Sequence, residues 1–270
     1  MCDLSLLPSG IEACRLDDAL LAKGYETFPA TDRARLKTTQ ALAMSLFAER
    51  PDCEVVRRES AAQGFVQIAT RVPAPWALFL LPEAFADAPR LTSMLMAARL
   101  GNVSQIAVGF LTATPEAIAA GTLTALELCG IEHAFALEDS GGEAGAQTLL
   151  RLLAADGAGR LVGVGLPHEI MATAQTLGVS AYNAPAQPLA AIDPDLAPET
   201  LETIQRLLPG VKTFSLPLPA GSPRPAVLFH ARTPSTDAGV LLSEELAGCW
   251  LETALTPDFF LNTSLSFTLR

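Results

Sequence analysis

Apolar residues in the first fifty positions return at helical intervals. Between Leu16 and Glu49, the positions Leu20, Leu21, Leu36, Ala41, Leu42, Met44 and Leu46 mostly recur at the offsets that line one side of a helix. Two helices are expected, the second opening in "PATDRARLK", where Thr31 or Asp32 offers a side-chain oxygen as N-cap. From Glu54 to Leu81 the pattern shortens to "EVVRR", "GFVQIATRV" and "WALFLL", runs rich in β-branched and aromatic residues that predict strands. A regular alternation follows. Helix "APRLTSMLMAARLGN", strand "QIAVGFL", helix "TPEAIAAGTLTALELCGI", strand "HAFAL", helix "GEAGAQTLLRLLAADG" and strand "RLVGVG" come in order. Strands separated by helices of this length pair in parallel, with the helices lying on the sheet. After Ala184 the chain turns proline-rich, with a helix running to Leu208 and a Pro-x-Pro stretch, "LPLPAGSPRPAVLFHA", that favours extended backbone and edges. The expected fold class is therefore α/β. A Rossmann-like parallel sheet layer covered by helices occupies residues 74–184, and a second, smaller α/β unit is formed by the N- and C-terminal parts, residues 1–73 with 185–270.

The strand "RLVGVG" runs into "LPHEIMATAQTLGV", so Gly163-Val164-Gly165 joins a strand to a helix, the place where backbone N–H groups can meet a phosphate. The residues favour a plain structural turn. Leu166 and Pro167 stand where further small residues and donors would be needed, Pro167 is suited to a helix start, and Glu169 adds negative charge to the first turn. A second glycine-rich entry, "DSGGEAG", places Ser140, Gly141 and Gly142 before a helix, where a loop with an N-cap explains them without a ligand. The sequence has neither a Gly-x-Ser-x-Gly elbow nor a Gly-Lys-Ser/Thr phosphate loop.

Composition narrows the function classes. Half of the 270 residues are hydrophobic, 17% are charged and the formal net charge is -11. That balance fits a packed globular chain and disfavours nucleic-acid binding, because the pair Arg57-Arg58 is too small a basic patch. The most apolar window, Ala74–Phe85, is shorter than the roughly 20 residues of a spanning helix. The N-terminal stretch has acids early and no basic flank, so a cytoplasmic chain without a secretory signal or membrane segment is expected. Five cysteines, at positions 2, 14, 53, 129 and 249, form no close pair and read as reduced, structural thiols. The histidines, His133, His168 and His230, are too far apart for a local metal motif. His168 has the best functional claim, because the first turn after a Gly-x-Gly loop can present a side chain to an anion.

Taken in order from about Thr39 onward, the segments resemble histidinol dehydrogenase. "WALFLLPEAFADAPRLTSMLMAARLGNVSQIAV" is similar to that family's strand, glycine-rich loop and helix. "GAQTLLRLLAADG" is similar to its GAQAIAALAYGT helix, "RLVGVGLPHEIMATAQ" to its IVGPGN segment and "NAPAQPLAAID" to AGPSEVLVIAD. "AVLFHARTPSTDAG" and "LTPDFFLNTSLSF" resemble its closing segments. The resemblance implies a Rossmann-like fold, a zinc- and NAD-dependent oxidoreductase ancestry and a homodimer. The apolar tail "LTPDFFLNTSLSFTLR" would help to form that dimer.

The departures bear on chemistry. Glu83 and Ala84 replace the family's paired glycines, the helix "PETLETIQRLLPGVKTF" has no zinc-binding Gln-His pair, and in "APETLE" Glu199 is kept while Thr200 replaces the catalytic histidine. Asp237 is the one residue that matches a family metal ligand, and as a lone loop aspartate it reads better as a turn residue. Zinc catalysis needs about three protein ligands and an open position. No catalytic or metal-binding residue is therefore expected, zinc is not expected, and NAD stays open as a cofactor. The leading expectation is a histidinol-dehydrogenase-like protein that has lost zinc-dependent activity and binds a small molecule or partner. Two alternatives stand beside it: an active NAD-dependent oxidoreductase without zinc, using His168 or Glu199 as acid or base, and an assembly subunit.

Overall fold

The computed structural model describes residues 9–60, 62–137, 143–218, 222–231 and 238–269. The chain opens with a short helix α1 (Ser9–Glu12), then α2 (Asp18–Thr27) and α3 (Ala30–Leu46). Helix α3 begins earlier than the sequence suggests, with Pro29 rather than Thr31 or Asp32 at the N-cap. The reason is tertiary. The Asp32 carboxylate is buried and accepts two hydrogen bonds from Arg206, at 3.0 and 2.7 Å, so it serves a distant helix instead of its own.

The first sheet consists of β3 (Trp76–Pro82), β4 (Gln105–Leu111), β5 (His133–Ala136), β6 (Arg160–Val164) and β7 (Ser180–Ala184), all parallel, in the spatial order β5-β4-β3-β6-β7. The chain moves outward from β3 through α4 (Ala88–Leu100) and α5 (Ala120–Leu128), then crosses back through α6 (Glu143–Ala154) to β6 and continues through α7 (His168–Thr176). Side-chain alternation divides the layer. Ala77, Phe79 and Leu81 face a core shared with α4 and α5, whereas Trp76, Leu78 and Leu80 face a core shared with α6 and α7. Being covered on both sides explains why β3 is an unbroken apolar run instead of an alternating one. This is the Rossmann-like layer expected from the sequence.

A second parallel sheet joins β8 (Leu189–Ile192), β9 (Lys212–Ser215), β10 (Val227–His230) and β11 (Val240–Ser243) in the order β11-β10-β8-β9. Helix α8 (Pro198–Leu207) covers one face with Ile204 and Leu207, packed against Ile192, Phe229 and Trp250. A third sheet is small and antiparallel, with β1 (Glu54–Ser60) and β12 (Leu261–Leu269) on either side of β2 (Phe65–Pro73). Segments nearly two hundred residues apart thus share one sheet.

Candidate functional site

In an open parallel sheet, ligands bind beyond the carboxyl ends of the strands, where the chain reverses its direction of travel across the sheet. Here that point lies between β3 and β6. One lip carries Glu83 and Ala84, both exposed, and the other is the turn Gly163-Val164-Gly165 leading to Leu166 and Pro167. The turn's donors are already used. The Gly165 N–H donates to the Ala184 carbonyl at 2.9 Å and the Leu166 N–H to Asn183 Oδ1 at 3.0 Å, while Asn183 Nδ2 donates back to the Leu166 carbonyl at 3.2 Å. Gly165 has φ of 59°, a left-handed conformation that glycine adopts without cost. The room its missing side chain leaves is taken by Ala186, which a Cβ would meet at 2.7 Å. At Gly163, Leu166 Cδ1 stands in that place, 2.1 Å from a Cβ. Glycine here lets protein approach protein, so the turn does not fit a dinucleotide phosphate. The other glycine-rich entry, Ser140–Gly142, lies outside the described residues.

The sequence-nominated residues do not converge. His168 is the first residue of α7 and is exposed, on the rim of a shallow depression of about 300 Å³ with Met171, Gln175 and Val179. Glu199 is exposed in the first turn of α8, and among the described residues no hydrogen bond or ion pair joins it to His168. Thr200 donates its hydroxyl to Glu244 Oε1 at 2.8 Å, and the same oxygen accepts the Ala197 N–H at 3.1 Å. Glu244 thus caps α8 from outside the helix, favoured by the positive end of the helix dipole. His133 shares its Nδ1 with Arg15, 3.1 Å away. His230 ends β10 half-buried, and its Nδ1 is enclosed with no hydrogen-bond partner among the described residues. Asp237 lies outside the described residues. Among those described, no group of three or more His, Cys, Asp or Glu residues is arranged to hold a metal ion, and no helix is long and apolar enough to cross a membrane.

What sequence reasoning missed is a buried polar seam along α4. Asp87 at the N-cap, then Arg90 and Ser93, recur every three residues along a helix that is mostly apolar and buried, and that spacing puts them on one side. Arg90 is 0% exposed; it donates from Nη2 to the Pro185 carbonyl at 2.7 Å and from Nε to Glu252 Oε2 at 3.5 Å. Glu252 accepts Tyr182 Oη at 3.3 Å, and its own N–H donates to Ser93 Oγ at 2.8 Å. Asp87 accepts the Gly210 N–H at 2.7 Å, and burial raises its carboxyl above the usual range. The seam joins the first sheet to the segment that leaves the second. Its legible trace was an arginine inside "APRLTSMLMAARL", a position that demands a buried partner.

Burial, reinforced by the Glu252 charge, pushes the Tyr182 hydroxyl up to about 12. A raised folded value means that the stabilising contribution is present below the unfolded value near 10 and is lost as pH rises from there through about 12. We expect the stability of the parent to fall across that window by no more than about 1–2 kcal/mol, because the half-exposed ring is partly screened. Tyr182→Phe should remove that fall in denaturant titrations at pH 9 to 12, and a parent curve parallel to the variant's would refute the assignment.

A further cleft lies elsewhere. It holds about 440 Å³ and is lined by Met44, Arg99, Asn102, Gln105, Glu132 and His133 among others. Gln105, Glu132 and His133 sit at the amino ends of β4 and β5, the edge opposite to the one where such sheets bind ligands. Helices α4 and α5 also end there, with carbonyls pointing toward the cleft's wall.

No protein-family model and no curated protein matches the chain. Among solved structures, it is similar to histidinol dehydrogenase from Elizabethkingia anophelis, with a TM-score of 0.59 at 12% identity over 95% of this chain and 77% of that one. A Bacillus subtilis protein provisionally named an aldehyde dehydrogenase aligns with 94% of this chain and 82% of its own, at 11% identity and a TM-score of 0.47. A NAD-dependent benzaldehyde dehydrogenase from Corynebacterium glutamicum aligns with 64% of this chain and 37% of its own, at 11% identity and a TM-score of 0.38. The likeness is one of fold: the chain shares its α/β architecture with the Elizabethkingia anophelis structure.

Proposed function

We propose that the chain is a binding protein on a dehydrogenase-like scaffold that has given up zinc- and NAD-dependent oxidation and acts as a homodimer. The observation that carries the first part is the closed turn. Gly165 and Leu166 spend their N–H groups on Ala184 and Asn183. The chemistry of the remaining residues supports it, since Thr200 replaces a base and is committed to Glu244. The carboxylate on the lip of the β3–β6 switch point, Glu83, is exposed, and among the described residues no hydrogen bond or ion pair joins it to His168 in a pair that would take a proton from a substrate alcohol.

Calorimetric titration with NAD and NADP, with and without equimolar zinc, should give no saturable heat at micromolar ligand, and added zinc should leave the melting temperature unchanged. Micromolar binding of either nucleotide, or zinc-dependent oxidation of histidinol, would overturn the reading. Gly165→Val is a poor probe of the turn, because φ of 59° and the 2.7 Å approach of Ala186 would strain it whether or not a nucleotide binds. Asn183→Ala frees the Leu166 N–H without that strain.

A further inference from the structure

We infer that the free edge of β12 is a pairing surface for the β12 strand of a second copy, making one continuous six-stranded antiparallel sheet. This surface rests on the two-copy reading given above. Among the described residues, strand β12 pairs only with β2, so its outer edge offers backbone groups that no described strand pairs. From Thr263 to Leu269 every residue is exposed, and β1 and β12 pack against β2 and little else. Register places Leu265, Phe267 and Leu269 opposite Ala69, Gln67 and Phe65, hence on one face. They are 56%, 60% and 88% exposed, and Phe267 meets Phe65 edge to face at 5.7 Å. Toward β1 the same face turns polar, with Gln67, Arg71, Glu54 and Arg58, so the apolar strip runs along the open edge, where it leaves an unfinished structure in water.

The two edges of this sheet differ in a way that names the occupant. The β1 edge carries Glu54, Arg57, Arg58 and Glu59, charges that discourage strand addition, whereas "LNTSLSFTL" in β12 has neither charge nor proline. Only one edge is therefore open to pairing. Two β12 strands meeting antiparallel about a two-fold axis use both open edges at once and close the assembly as a dimer. Charge supports a second copy. The whole chain carries -11, yet the strands of this sheet contain three arginines and two glutamates, so two acidic bodies meet here without like-charge repulsion. Side-chain parity requires odd-numbered residues of one strand to face odd-numbered residues of the other, which joins the two apolar strips. Side by side across the new pairing, the anchors of the two copies cover one another's flanks while their outward surfaces stay in water, so the paired backbone and these flanks together form the interface.

Sedimentation equilibrium of the parent and of two variants tests this. The parent should be a dimer at micromolar concentration. Phe267→Glu should weaken it at least about thirtyfold, the loss that a central anchor of about 2 kcal/mol produces. Ser266→Lys lies on the opposite face of β12, with Ser264 and Thr268, and charges the edge without touching the anchors; it should dissociate the dimer with circular dichroism unchanged. If Phe267→Glu does not fold, Ser266→Lys decides alone. A monomeric parent at tens of micromolar would overturn both the dimer and its interface. A dimer that survives both variants would overturn this interface and leave the two-copy reading intact. Loss of the dimer in Phe267→Glu but not in Ser266→Lys would overturn edge pairing in favour of contact through the face.

Discussion

Arg90→Ala should cost about 4 kcal/mol of folding free energy, because it removes a fully buried side chain and strands its partners. Two terms add. The vacated volume lies within a closely packed helix between two sheets, where collapse is limited. Glu252 then keeps a carboxylate in the interior with Tyr182 as its side-chain donor, and the Pro185 carbonyl loses its donor. For a chain of this size the loss corresponds to a fall in melting temperature of roughly 10 °C. The cause is separable by a second variant. Arg90→Met with Glu252→Gln refills the space, removes the orphaned charge and keeps an acceptor for Tyr182, so it should recover more than half of the loss. The Arg90–Glu252 approach of 3.5 Å is long for an aligned hydrogen bond, which makes the charge itself the main thing to neutralise. Equal destabilisation of the single and double variants, read from denaturant midpoints with unchanged slopes, would place the loss in neither the vacated volume nor the orphaned charge but in the bond to the Pro185 carbonyl.

Arg160→Ala should have the second largest effect, about 3 kcal/mol, and should reach beyond stability to assembly. Arg160 begins β6 and is buried; it donates from Nε to the Phe259 carbonyl, from Nη2 to the Leu261 carbonyl and from Nη1 to the Gly159 carbonyl at 2.9 Å. Its guanidinium also lies over the Phe259 ring, 5.8 Å from the centroid, and burial lowers its pKa. These bonds tie the first sheet to the point where the tail enters β12. Alanine leaves two buried carbonyls without their charged donor, and lysine cannot restore them, because a single ammonium lacks the planar fork that reaches both. Thermal denaturation of the alanine and lysine variants should show losses of similar size. Each should also weaken the dimer, since β12 would no longer leave the body at a fixed angle. A lysine variant as stable as the parent would show that charge, and not the fork, holds the tail.

Local pattern carried most of the fold. The helical spacing before Glu49, the shortening at Glu54 and the helix–strand alternation from Ala88 to Val164 all correspond to elements in the structure. Periodicity is set by backbone geometry and by which side of an element meets water, and both act over a few residues. The structural nature of the Gly163–Gly165 turn was also legible, because Leu166, Pro167 and Glu169 stand within one helical turn of it. The N-cap of α3 was not, since the side chain that should have capped it belongs to an ion pair with Arg206, 174 residues away.

The sequence by itself determined an α/β chain with a parallel layer of helix-covered strands, an acidic surface and no local motif for a metal, a phosphate or a nucleophile. The tertiary structure alone decided that the proline-rich half builds a second parallel sheet, that the tail returns to the strands near Glu54, and that Arg90, Tyr182 and Glu252 form one buried seam. The physical reason is the range of the forces concerned. Turn chemistry and hydrophobic spacing act between neighbours, whereas the partner of a buried charge is chosen by which distant segments the closed chain brings together, and every one of those choices is paid in loop entropy that no short window of sequence records.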